Sequence, residues 1–172
     1  MDDKFMLKNV RLSYPSLFSR PLFNGKEGKY QATFLIPKAD EQQVTRLKNF
    51  FKEFEATLNF QVAPDKRAMR DGDAMDIEEC KGLWVVKTGS TTRPRVINRD
   101  KSIIAEDDNI IYAGCYVNAT ISLWAQNNEY GKRVNANLRT VQFFKDGEAF
   151  GFGSIDDSDE FESLDSQESP EF

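Results

Sequence analysis

The sequence predicts a mainly β domain, a small barrel carrying one α-helix, with an acidic tail behind it. Several segments alternate apolar and polar side chains with the period of a half-buried strand, and one segment carries apolar residues at helical spacing. The last 18 residues hold eight carboxylates and no Lys or Arg. The domain is placed at residues 1–154 and the tail at residues 155–172.

Residues 5–14 read as the first strand, with Val10, Leu12 and Tyr14 on one face. Residues 29–37 read as the second, with Tyr30, Ala32, Phe34 and Ile36 sharing a face, and Pro37 ends it. A helix start follows: Asp40 suits the N-cap, Gln43 stands three residues on, and Val44, Leu47, Phe50, Phe51, Phe54 and Leu58 recur at helical spacing. That stripe is core packing. From Asn59 to Lys81 the chain is charged, contains Pro64 and Gly72, and lacks sustained periodicity, so it reads as a long excursion. A strand resumes over Gly82–Ser90, with Trp84 assigned to the core, and a basic loop follows with Arg93, Pro94, Arg95, Arg99 and Lys101.

Residues 115–126 and 133–144 form the most informative pair. In the first, Cys115, Val117, Ala119, Ile121, Leu123 and Ala125 make a core face, opposite a polar face with Tyr116 and Trp124 near its ends. In the second, Val134, Ala136 and Leu138 oppose Arg133, Asn135, Asn137 and Arg139, and the turn Asn127–Lys132 joins the two as a hairpin. With Gln126 opposite Arg133, one register puts Trp124 beside Asn135, Thr120 beside Arg139 and Tyr116 beside Phe143 on a single outer face. Aromatic planes for unstacked bases and guanidinium groups for phosphates are what single-strand binding asks for. The competing reading has Trp124 and Tyr116 covered by the helix or by the 59–81 excursion.

The chain has no histidine, which removes Ser-His-Asp and Cys-His catalysis, the HExxH metalloprotease and His-containing zinc sites. Carboxylate-held Mg²⁺ remains open, because Pro64-Asp65 with Glu79-Cys80-Lys81 fits the loose nuclease pattern PD…(D/E)xK. Asp65, Glu79 and Lys81 are the candidates for that alternative, against which stands the absence of strand alternation from Lys66 to Asp76. A third reading is an adaptor whose barrel binds protein. No cofactor is expected, and Glu106-Asp107-Asp108 and Asp71-Gly72-Asp73 read as solvated loop charges. Cys80 and Cys115 read as reduced thiols in or near the core. No run approaches the roughly 18 apolar residues of a membrane span, and the N-terminus Met1-Asp2-Asp3-Lys4 is unlike a secretory signal, so the expectation is a cytoplasmic protein with no membrane partner.

The net charge of −5 hides an uneven division. Of 28 acidic residues eight lie in 155–172, which leaves 20 against 23 basic residues, a net +3, in the first 154. An acidic total is therefore compatible with a nucleic-acid partner. The tail lacks periodicity and is expected to be disordered. Such a tail serves solubility or function; Phe172 after Pro170-Glu171 is a poor choice for solvation and a good one for docking into a partner's pocket, so Asp165, Glu168, Glu171 and Phe172 are the candidate partner-binding residues.

The runs Asp71-Gly72-Asp73, Arg93-Pro94-Arg95-Val96-Ile97-Asn98-Arg99-Asp100, Tyr112-Ala113-Gly114-Cys115-Tyr116-Val117-Asn118-Ala119 and Asn137-Leu138-Arg139-Thr140-Val141-Gln142-Phe143 resemble a phage family of single-stranded DNA-binding proteins, the Enc34 type. The resemblance runs over most of residues 5–150, and Tyr112–Ala119 is its most specific part. It implies an OB-fold barrel with one helix, related to the T7-type phage single-stranded DNA-binding protein. It also implies DNA held across the barrel face and an acidic tail ending in an aromatic. One departure is the stretch Asn127 to Lys132, with Glu129 in an otherwise basic-flanked hairpin. The resulting expectation is a sequence-independent single-stranded DNA-binding protein of phage replication or recombination, not an enzyme. Tyr116, Trp124, Arg133, Arg139, Phe143, Arg93, Arg95, Arg99 and Lys101 are its candidate DNA contacts. The tail is expected to compete with DNA and to recruit replication or recombination proteins, and a homodimer is left open.

Overall fold

Alternation in the first segment produces β1 (Lys4–Ser16), which is long because it serves two partners. Its first half pairs antiparallel with one strand and its second half with another, and the chain bends at Asn9 and Tyr14, whose φ values of 53° and 47° are left-handed. Tyr14 therefore turns off the buried face of Val10 and Leu12 on which strict alternation would put it, and is 50% exposed. The structure, a computed structural model, describes residues 4–23 and 25–150; the expected tail disorder and the residues Asp165, Glu168, Glu171 and Phe172 lie outside the described residues.

A small hairpin, β2 (Leu22–Phe23) and β3 (Lys26–Glu27), precedes β4 (Tyr30–Pro37), on which Ala32, Phe34 and Ile36 are buried as alternation requires. Helix α1 (Glu41–Glu55) is capped by Asp40, whose carboxylate accepts from the Gln43 backbone N–H. The Gln43 side chain is itself buried: its amide accepts from Lys8 N at 2.7 Å and donates to Lys8 O at 2.9 Å. Those bonds satisfy β1 at a point beyond its pairing with β4. Val44, Leu47, Phe50 and Phe51 bury the helix against the barrel; Leu58 lies past the helix end yet still packs on the core.

The 59–81 excursion is more ordered than its lack of periodicity suggests. It contains β5 (Met69–Asp71), antiparallel to β6 (Leu83–Ser90), and just before it Ala68 N donates to Val134 O at 2.8 Å while Ala68 O accepts from Lys87 N at 3.0 Å. The basic loop likewise contains a strand, β7 (Arg95–Ile97). The hairpin is β8 (Tyr116–Asn128) and β9 (Gly131–Lys145), whose strands extend into the expected turn and leave only Glu129 and Tyr130 between them.

The sheet order is β5-β6-β4-β1-β8-β9-β7, and β6 also pairs parallel with β9 at Thr88↔Ala136 and Gly89↔Asn137. That pairing closes β1, β4, β6, β9 and β8 into a five-stranded barrel with a single helix, an OB-fold barrel. The core is filled by residues such as Leu7, Phe34, Leu47, Val86, Ile121 and Leu138. A second cluster, Leu35, Cys80 and Val85, lies outside it under Ile77 and Phe150. Both cysteines are free and buried, and burial pushes both thiols up. Gly72 has its backbone pressed against this second layer: a Cβ there would meet Cys80 O at 2.1 Å and Leu83 O at 2.5 Å. No helix among the described residues is long and apolar enough to cross a membrane.

Candidate nucleic-acid interface

Pairing of Gln126 with Arg133 and of Trp124 with Asn135 follows the register read from the pattern, and it turns Trp124 and Arg133 out on one face of the barrel. The wall they stand on is the seam where β9 meets β6 and the 66–70 segment. There a groove of about 280 Å³ collects Lys29 from the β3–β4 loop, Lys66, Arg67 and Arg70 from the stitched segment, Lys87 from β6 and Arg133 from β9, around Trp124. No acidic side chain lines it among the described residues. Arg67 is held by Glu55, its Nε and Nη2 donating to the carboxylate at 2.8–3.0 Å. The other five cations have no carboxylate partner among the described residues.

Trp124 is 41% exposed, and the Lys29 ammonium stands 5.4 Å from its ring centre. Covering by α1 or by the excursion does not occur. Beside it the amides of Asn135 and Gln126 are locked together, Asn135 Nδ2 donating to Gln126 Oε1 at 3.1 Å. An open indole face ringed by uncompensated positive charge can stack a planar, uncharged ring while neutralising the anionic groups attached to it.

The register changes further along the hairpin. Thr120 pairs with Thr140, not with Arg139, and Tyr116 pairs with Lys145, not with Phe143. Arg139 is squeezed out as a bulge and is exposed; closing a small barrel bends its strands, and bulges are where that bend is taken up. The one-residue slip carries Phe143 opposite Val117 and onto the core side, where it packs against the buried cluster rather than presenting a platform. Tyr116 stays outward and half-buried, with Lys145 Nζ 4.8 Å and the Arg11 guanidinium 6.0 Å from its ring and with Gly147 so close that a Cβ there would meet the ring at 2.8 Å.

The basic loop lies along β9. Arg95 is exposed and pairs with Thr140, the residue after Arg139. Arg99 Nη1 donates to Phe144 O at 2.8 Å, and the exposed Lys101 holds the turn with a left-handed φ of 70°. Arg93 stands apart, 5.9 Å from the Phe18 ring. The structure thus brings Trp124 and Arg133 into one groove, groups Tyr116, Arg139, Arg95, Arg99 and Lys101 at the other end of β8 and β9, and leaves Phe143 out of both. Sequence reasoning missed Lys29, Lys66, Arg67, Arg70 and Lys87. For Lys87 a signal existed: alternation in its strand sets it on the face opposite Trp84, Val86 and Thr88.

The nuclease alternative does not assemble on adjacent strands. Asp65 is in the 3₁₀ turn Pro64–Lys66 and Glu79 in the turn Glu78–Cys80, while the Lys81 ammonium donates to Asp73 O at 3.3 Å. Among the described residues no three potential ligand side chains gather around a metal position. The Asp71-Gly72-Asp73 charges are solvated as expected, and they also form a latch: Lys38 Nζ donates to both carboxylates at 2.6 Å, and these bonds hold Asp71 and Asp73 below the usual carboxylate range and Lys38 above its own.

Comparison with known proteins gives one consistent result. The sequence model of a family described as the Enterobacter phage Enc34 single-stranded DNA-binding protein matches residues 3–172. Protein p50 of Acyrthosiphon pisum secondary endosymbiont phage 1 is 36% identical over 180 residues, covering 98% of this chain and 97% of that protein. The single-stranded DNA-binding protein from bacteriophage Enc34, solved in complex with single-stranded DNA, is 36% identical, with a TM-score of 0.77 over 87% of this chain and 90% of that chain. The single-stranded DNA-binding protein gp2.5 of bacteriophage T7, at 14% identity and a TM-score of 0.59, covers 91% of this chain and 98% of that chain and shares the fold.

Proposed function

The chain belongs to the family of the Enterobacter phage Enc34 single-stranded DNA-binding protein, and we propose that it binds single-stranded DNA without strong sequence preference through the Trp124 groove. The observation that carries this reading is the convergence of six cations on one exposed indole with no acidic lining side chain. A base stacks on Trp124, taking the place of the Lys29 ammonium, and the phosphates on either side meet Lys66, Lys87 and Arg133. Every base has a π-face, so this contact is tolerant of sequence. The strand continues along the outer face of β8 and β9 towards Tyr116, where Arg139, Arg95, Arg99 and Lys101 supply further positive charge.

The chain acts as a binding protein in the host cytoplasm and not as an enzyme. Its eight tail carboxylates compete with DNA for the basic face, and Phe172 recruits replication or recombination proteins once DNA displaces the tail. The test is anisotropy of a labelled dT strand, with intrinsic tryptophan emission of the wild type followed beside it. Trp124→Ala should lower affinity by roughly 1–3 kcal/mol while leaving thermal stability near wild type, because the ring is 41% exposed. Loss of stability equal to the loss of affinity would assign Trp124 to packing, and absence of binding at low salt would end the reading.

A further inference from the structure

We propose that a second base of the same strand stacks on Trp84, in a separate groove on the far side of Arg67 and Arg70 from Trp124. This rests on the single-strand reading of the first groove and adds a second site to it. The groove, of about 490 Å³, lies between α1 and β5–β6, and Arg67 and Arg70 line it as well as the first groove. The two sites are therefore contiguous across one short segment.

The lining matches a nucleotide in both its parts. Trp84, Phe51, Pro64 and Met69 make an apolar floor for a planar ring, and Lys48, Lys52 and Arg70 stand over it for phosphate. The two carboxylates present are already engaged, Glu55 with Arg67 and Asp71 with Lys38 at 2.6 Å. Net positive charge remains, since none of those three cations has a carboxylate partner among the described residues. Trp84 is half-buried, packing against the core as the sequence led one to expect, but it shares the cation contact of Trp124: the Lys48 ammonium stands 4.6 Å from its ring centre and that of Lys38 5.4 Å, as Lys29 stands 5.4 Å from Trp124. Lys48 has no other partner among the contacts described, so an arriving base can take its place over the indole while the ammonium moves to the adjoining phosphate.

The chain has two tryptophans, so each can be made the sole reporter. Trp124→Phe leaves Trp84 and Trp84→Phe leaves Trp124, with occupancy followed independently by anisotropy of a labelled dT strand of about 20 nucleotides. At saturation the strand should quench Trp84 emission in the first protein and Trp124 emission in the second. Lys48→Gln with Lys52→Gln should lower affinity for the long strand about fivefold at low salt and leave a strand of about six nucleotides nearly unaffected. Quenching of Trp124 with Trp84 unchanged at full occupancy overturns this proposal and leaves the first groove standing; failure of both to respond removes the first reading as well. If deletion of residues 155–172 changes Trp84 emission without DNA, and DNA leaves Trp84 unchanged in the truncated protein, the groove belongs to the tail and the proposal is wrong.

Discussion

The salt dependence of binding can be worked from the groove. Of its six cations Arg67 is neutralised by Glu55, leaving Lys29, Lys66, Arg70, Lys87 and Arg133 to release counterions from the strand. Five phosphates neutralised on single-stranded DNA give a log–log slope of about −3.5, so affinity should fall about 130-fold between about 50 and 200 mM salt. Lys87→Gln with Arg133→Gln removes two of the five: the slope should flatten to about −2.1 and the same change of salt should cost only about 18-fold. Neither side chain is part of the buried core, so the double variant should fold as wild type does. The assay is anisotropy of a labelled dT strand of about six nucleotides, short enough to report the first groove alone, at four salt concentrations. Trp124→Ala provides the control, lowering affinity at every concentration without altering the slope. A double variant with the wild-type slope would refute the assignment of these two residues to phosphate contacts.

Gly72→Ala should destabilise the domain by roughly 2 kcal/mol or more, because its Cβ would meet two backbone carbonyls at 2.1 and 2.5 Å that have no flexible end to yield. Thermal unfolding should show a loss of about 4–8 °C, and a wild-type Tm would contradict the packing described. The Asp71–Lys38–Asp73 latch makes stability pH-dependent at both ends. Its carboxylates are lowered on folding, so their contribution is present above the ordinary carboxylate range and lost as pH falls through their folded values; Lys38 is raised, so its contribution is lost only at high pH. Asp71→Asn with Asp73→Asn should therefore lower stability at neutral pH and narrow the gap to wild type below about pH 4; a gap that stays constant would remove the latch from the pH response. Deleting residues 155–172 takes away eight carboxylates from a domain of net +3 and should tighten DNA binding, with a gain that shrinks as salt rises. Equal affinities at low salt would make the tail a solubility device only.

The comparison of pattern with structure is sharpest in the hairpin. Parity was legible from Trp124 to Leu138, because alternation is a property of each residue and its neighbours. Beyond that it changed, and the sequence does carry the reason: Leu138 and Val141, both buried, are three apart and cannot share a face without an extra residue between them. Arg139 is that residue, and its bulge is what removes Phe143 from the outer face. Tyr14 in β1 is a similar case with no such warning, since only its left-handed backbone turns it outward.

By itself the sequence determined the segments of β1, β4, β6, β8 and β9, the Asp40 cap and its helix, the division of charge between body and tail, and the family resemblance. Each of these is written in short stretches of chain, through backbone alternation, side-chain-to-backbone bonds within a turn, or charge count. Only the tertiary structure decided which cations meet Trp124. Lys29, Lys66, Arg70 and Lys87 come from three segments that show no common pattern, and they converge because β6 pairs with β9 while Ala68 bonds across to both. The positions of those cations depend on barrel closure and on the register of pairings between residues far apart in the chain, such as Ala68 with Val134, which local periodicity does not encode.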